Sequence, residues 1–113
     1  MSKTGKDFWG KSVWMTIHSQ SVTYTPDKAE AFKSFISSLT KLLPCKDCQK
    51  HLKENLQKYP IDYYLDNNDN LFFWTYLLHD AVNKSVGKKS PKFDIVKKQY
   101  YDALQEECAN CNL

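Results

Sequence analysis

Between Ala29 and Leu43 an apolar stripe runs through Ala29, Phe32, Phe35, Ile36, Leu39, Leu42 and Leu43. Steps of three and four are what an amphipathic helix requires. Thr25-Pro26 opens the segment as an N-cap followed by proline at the first helical position. The same period occurs earlier, from about Asp7 to Ser21, where Phe8, Val13, Trp14, Ile17 and His18 fall mostly along one stripe. A third helix is expected to start near Pro44, with Leu52 and Leu56 as its apolar face and Pro60 as its end. Ile61 to Leu65 reads as a short turn, and Asp66 to Asn70 as a loop rich in capping residues. Leu71, Trp74, Thr75, Leu78, His79, Val82 and Val86 form the stripe of a fourth helix, stopped at Gly87. A fifth begins near Pro91, with Phe93, Val96, Tyr100, Ala103 and Leu104 inward. Only 3 glycines occur, and no segment alternates like a strand. The expected fold class is all-α, a helical bundle with a fifth helix packed across it.

A chain of 113 residues fits one domain, here residues 1–113, with a modest core. Hydrophobic residues at 42% and aromatics at 14% exclude a disordered composition. The formal charge of +3 is too small to imply nucleic acid. Lys84, Lys88, Lys89 and Lys92 cluster locally, as a solvated helix end or an anion site. No apolar run approaches the roughly 20 residues of a bilayer span. Met1 to Lys6 carries no signal-peptide core. The chain is expected to be soluble, without membrane contact, and its compartment stays open.

Two helices carry polar groups on their apolar stripes. His18 follows Trp14 by one turn; His79 lies between Thr75 and Val82, and Asn83 follows one turn later. A buried imidazole or amide left unpaired costs about 1–3 kcal/mol. One such group is ordinarily a satisfied core residue. Three beside tryptophans point to a buried planar ligand with polar edges. Trp14, Trp74, Phe73 and Tyr76 offer flat surface for stacking on a fused ring, although each also serves as plain core.

Four cysteines form two Cys-x-x-Cys pairs, Cys45/Cys48 and Cys108/Cys111. Redox disulfides, a zinc site and reduced bystanders are the three physical readings. Pro44-Cys45-Lys46-Asp47-Cys48 lies at a helix start, where the helix dipole favours a thiolate, with Lys46 adding to the effect. The two-residue spacer lets the sulfurs meet within one turn. A four-thiolate zinc site is the structural alternative. The long separation of the pairs and the lack of knuckle glycines disfavour it, and no metal ligand set is assigned. A thioredoxin-type fold lacks its βαβ context.

Taken together, these features resemble the Erv/ALR family of FAD-linked sulfhydryl oxidases, from about Lys6 to Tyr100. Trp9-Gly10-Lys11-Ser12-Val13-Trp14-Met15-Thr16-Ile17-His18 is similar to the family's Gly-Arg-x-x-Trp-x-x-Leu-His segment. Pro44-Cys45-Lys46-Asp47-Cys48 is the second piece. Trp74 with His79-Asp80-Ala81-Val82-Asn83-Lys84 is similar to its His-Asn-x-Val-Asn segment. Gly87-Lys88-Lys89-Ser90-Pro91-Lys92-Phe93 closes the match. The order and spacing of the four pieces are highly specific.

The resemblance implies a four-helix bundle with a short fifth helix, a homodimer, and FAD within the bundle. It implies that Cys48 sits nearest the flavin and that Cys45 meets incoming thiols. Gly10, Lys11, Trp14, His18, Trp74, His79, Val82, Asn83 and Lys84 would line the cofactor, joined by Lys88 and Tyr100. The reaction implied is a protein dithiol plus O2 giving a disulfide plus H2O2, through a mixed disulfide on Cys45. A zinc-stabilised adaptor and a non-catalytic helical interaction module are the alternatives. Compact size suits virus-encoded members, which would place the protein in the cytoplasm.

Three departures stand out. Lys11 replaces the common arginine and keeps a point charge without the bidentate fork. Asp80 replaces the usual asparagine and is expected to face away from a phosphate. Ile95 stands where many relatives place a structural cysteine, so Cys111 lacks that partner. Cys108 and Cys111 are expected to pair with each other. They would act as a shuttle exchanging with Cys45–Cys48, as some family members do, or as a local clip of small entropic effect.

Overall fold

The computed structural model describes residues 5–105. Cys108 and Cys111, with the shuttle and clip expectations attached to them, lie outside the described residues. Five helices follow in order: α1 (Lys6–Val22), α2 (Ala29–Leu42), α3 (Lys46–Lys58), α4 (Asn68–Ser85) and α5 (Phe93–Gln105). Single 3-10 turns at Pro26–Lys28 and Ile61–Tyr64 precede α2 and α4. No strand occurs among the described residues. The expected architecture, a helical bundle with a fifth helix, is the one observed. α1 packs chiefly on α4, α3 packs on both α2 and α4, and α5 lies on α1 and α4.

Burial follows the stripes in the middle of each helix and departs from them at the ends. Ile17, Tyr24, Phe32, Ile36, Leu43, Leu52, Leu71, Trp74 and Leu78 form the core cluster. Phe8 is 80% exposed, because it lies about 180° around α1 from Ile17. Leu42 is 74% exposed, because Leu43, about 100° further round, takes the inward place as the chain turns extended there. Ala103 and Leu104 are exposed as well. Tyr101 holds α5 instead: its ring meets Phe72 edge-on at 5.4 Å, and its hydroxyl donates to Asp69 Oδ1 at 2.6 Å.

Helix ends explain the shifted boundaries. Thr25 makes no capping bond, and Pro26 starts a 3-10 turn before α2. Asn67 caps α4, its Oδ1 accepting from the Asn70 amide at 2.8 Å, so the helix starts inside the expected loop. At the other end Gly87 takes φ 74°. Its amide bonds to the Lys84 carbonyl, and the Lys88 amide bonds to the Asn83 carbonyl at 2.8 Å. This Schellman pattern needs a left-handed residue, which glycine supplies. It reverses the chain so that residues 88–92 run back along α4. α5 then begins at Phe93, two residues after Pro91.

Candidate functional site

α3 opens at the cysteine motif. Cys45 is its N-cap, in extended backbone, and is disulfide-bonded to Cys48 with Cα atoms 5.2 Å apart. The Cys48 amide donates to Cys45 Sγ at 3.1 Å. A turn at Pro44 sets up this cap. The Leu43 carbonyl accepts from the Cys45 amide at 2.8 Å and from Gln49 Nε2 at 2.7 Å. Cys48 packs against the core cluster that contains Leu43, Leu52, Trp74 and Leu78. Both cysteines are half-buried in the first turn of α3, and Cys48 is the one that packs on the core.

A second feature lies between α1, α4 and α5. His18 and His79 meet through Nε2 and Nδ1, 3.0 Å apart. His18 Nδ1 is 2.8 Å from Thr75 Oγ1, and Thr75 donates to the Phe72 carbonyl at 2.6 Å. Trp14 stacks on His79 with ring centres 4.1 Å apart and planes 5° from parallel. Tyr100 closes one side, 5.2 Å from the His18 ring. Burial, reinforced by His79, pushes the His18 pKa down to about 3. Burial, reinforced by Lys88, pushes His79 down to about 4, against the opposing pull of Asp80. Both imidazoles are neutral near pH 7. Burial also raises the Tyr100 phenol.

These groups border a cleft of about 140 Å³, lined by His18, Tyr76, His79, Asn83, Pro91 and Tyr100, among others. The loop after α4 is tied to its rim. Asn83 Nδ2 donates to Ser90 Oγ at 3.0 Å, Ser90 donates to Asp80 Oδ1 at 2.7 Å, and Tyr76 donates to the Pro91 carbonyl. Asp80 lines the cleft, and Lys84 pairs with it at 3.0 Å. The Ser90 hydroxyl and then Lys84 hold the Asp80 carboxyl below its usual range.

Residues singled out in the sequence fall into two groups. His18, His79, Asn83 and Tyr100 line the cleft, and Trp14 stacks at its edge. Trp74 is fully buried on the other side of α4, its Nε1 donating to the Tyr59 carbonyl at 2.8 Å. Val82 is half-buried, on α4 between the directions of Trp74 and His79 at about 100° per residue. Lys11, Lys84 and Lys88 are exposed, and Gly10 is half-buried with open space where a Cβ would stand. Sequence alone gives Thr75, Ser90 and Gln49 no site role. Their signal was only a polar side chain within reach of a stripe.

The family model for the Erv1/Alr family matches residues 11–101. The chain belongs to that family. Among its relatives, an FAD-linked sulfhydryl oxidase of African swine fever virus (isolate Tick/Malawi/Lil 20-1/1983) is 29% identical over 100 residues, covering 85% of this chain and 82% of that protein. A probable FAD-linked sulfhydryl oxidase of Acanthamoeba polyphaga mimivirus is 34% identical over 86 residues, covering 72% of this chain and 60% of its own length. An FAD-linked sulfhydryl oxidase of Oryza sativa subsp. japonica is 26% identical over 87 residues, covering 74% of this chain and 44% of that protein. All four sequence segments that resemble the Erv1/Alr pattern fall wholly or partly within the matched span.

The cleft tests the cofactor that this family implies. Its volume is below the roughly 300 Å³ floor of drug-sized sites, which leaves room for no more than part of a larger ligand. Flat faces, neutral imidazoles and an amide are groups that would suit a ring of such a ligand, and the exposed Lys84 and Lys88 nearby would suit phosphate. The donor set fits a dinucleotide with fused rings.

The two low imidazole pKa values carry a stability prediction. Both groups are depressed when folded, so the unfolded chain binds more protons between their folded values and 6.5. Stability is then complete above about 6.5 and is lost as pH falls toward 4. A drop of several degrees in melting temperature between pH 7 and pH 5 is expected, above the range where most carboxylates titrate. A melting temperature constant over that interval would contradict the buried neutral pair.

Proposed function

We propose that the protein is an FAD-dependent sulfhydryl oxidase that forms disulfides in protein dithiols. The observation that carries it is the Cys45–Cys48 disulfide capping α3 in a chain of the Erv1/Alr family. A substrate thiolate attacks Cys45 Sγ, the disulfide breaks, and its electron pair leaves on Cys48. The second substrate thiol, deprotonated, attacks the substrate sulfur joined to Cys45, and Cys45 leaves as a thiolate. The substrate loses two electrons and two protons; the cysteine pair gains the electrons. The Cys48 amide and the α3 dipole stabilise the departing Cys45 thiolate. Packing of Cys48 on the core supports its place as the inner sulfur.

Trp14, His18, His79, Val82, Asn83 and Tyr100 would hold the rings of FAD. Lys11, Lys84 and Lys88 would meet its diphosphate. Gly10, Trp74 and Cys48 complete the proposed set, with Trp74 acting from the core behind Cys48. When bound, FAD supplies the two-electron acceptor that reoxidises the cysteine pair and delivers the electrons to O2 as H2O2. Oxygen uptake by the FAD-loaded protein given a small dithiol tests this. Catalytic uptake with peroxide formation is expected, and none would overturn the assignment.

The proposed protein is a homodimer. Phe8 on α1 at 80% exposure, Met15 at 59% and Leu42 on α2 at 74% leave large apolar side chains in water. Light scattering at micromolar concentration should give the mass of two chains. The mass of one chain would contradict the dimer. No helix among the described residues is long and apolar enough to cross a membrane.

A further inference from the structure

Thr75 is fully buried on α4 and is four residues before His79. Its hydroxyl has one proton, and the Phe72 carbonyl 2.6 Å away has none, so Thr75 must donate there. Toward His18 Nδ1, at 2.8 Å, the same oxygen can only accept. His18 therefore carries its proton on Nδ1. Buried and neutral, it has only a lone pair on Nε2. The contact at 3.0 Å then requires His79 to donate from Nδ1. One proton remains for each ring, and His79 Nε2 is left bare. No buried side-chain nitrogen or oxygen among the described residues lacks a partner, and His79 lines the cleft, so Nε2 opens onto it.

We propose that Thr75 is a positioning residue that sets the tautomers of His18 and His79, so that His79 presents an acceptor to the ligand. A ligand seated against Trp14 and His79 then has to offer an N–H or O–H at that point. This rests on the FAD assignment only for the ligand's identity. FAD carries such donors in its adenine amino group, its ribose and ribitol hydroxyls and the flavin N3–H. The chain of bonds is directional and has no alternative while the Phe72 carbonyl holds the threonine proton. Removing the hydroxyl frees it. In Thr75→Val, His18 Nδ1–H faces a methyl group, and both rings relax by moving their protons to Nε2. His79 then points a donor into the cleft where an acceptor stood.

The test is imidazole nitrogen NMR on the ¹⁵N-labelled protein without FAD, with FAD affinity measured separately by fluorescence titration. The parent and Thr75→Ser should both show His79 as the Nδ1–H tautomer, with a pyridine-type Nε2. Thr75→Val should shift His79 toward Nε2–H and weaken FAD binding about tenfold, the scale of one mispaired polar contact. Thr75→Ser should restore both readouts. His79 found as the Nε2–H tautomer in the parent would overturn the proposal, and this needs no variant to fold. Unchanged tautomers and affinity in a folded Thr75→Val would overturn it as well. Failure of the parent to bind FAD would strike the functional assignment alone, since the tautomers are read on the free protein.

Discussion

Cys45→Ser and Cys48→Ser are each expected to reduce dithiol oxidation to background while the protein stays folded and keeps FAD. The effect is large because neither variant can form the disulfide that accepts the substrate's electrons. In Cys48→Ser, Cys45 remains at the helix start but has no sulfur to displace. In Cys45→Ser, the sulfur proposed to meet substrate is gone and only the one packed on the core is left. The fold should survive both changes. Serine is a good N-cap, so position 45 keeps an acceptor for the Cys48 amide, now 3.1 Å from Sγ. Position 48 is half-buried, and α3 stays anchored through Leu52. Dithiol consumption, melting temperature and flavin content measured on the same samples check this. Parent-like turnover in either purified variant would remove the pair from the mechanism.

His79→Ala should give the second largest effect, a loss of FAD affinity of tenfold or more, with Asn83→Ala weaker in the same direction. His79 supplies a stacking face 4.1 Å from Trp14 and the partner of His18. Its removal leaves His18 Nε2 unpaired in the interior, at about 1–3 kcal/mol. Asn83 holds Ser90 and with it the rim of the cleft. A ligand bound only to the folded chain stabilises it by RT ln(1 + [L]/Kd), about 2.7 kcal/mol at a hundred times Kd. Melting temperature should therefore fall more with FAD present than without it. Parent-like FAD affinity in both variants would make these residues ordinary core.

The helices and their inner faces were legible because each long segment has a single period. Ile17, Phe32, Ile36, Leu52 and Leu78 sit where the stripes place them. The helix ends were not, because they depend on three-dimensional bonds. Thr25 looks like an N-cap and does not act as one, while Asn67, inside an expected loop, does. The polar side chains His18, His79 and Asn83 were legible as a group, since a polar residue on an apolar stripe must find a partner. Their wiring was not. Thr75 reads as an unremarkable stripe residue, and its bond to Phe72 is what orients the pair. Trp74 divides in the same way: its place on the α4 stripe marks it as core, and its bond to the Tyr59 carbonyl is visible only in three dimensions. Ser90 and Pro91 reach the cleft only because Gly87 reverses the chain, and a stop signal does not say where the next residues go.

The most direct measurement is the visible spectrum of the FAD-loaded protein under anaerobic conditions as a dithiol is added. The oxidised flavin band should be present, bleach on addition of dithiol, return when air is admitted, and stay unbleached in Cys48→Ser. A protein that takes up no FAD, or whose bound flavin stays oxidised in excess dithiol, would contradict the proposed function.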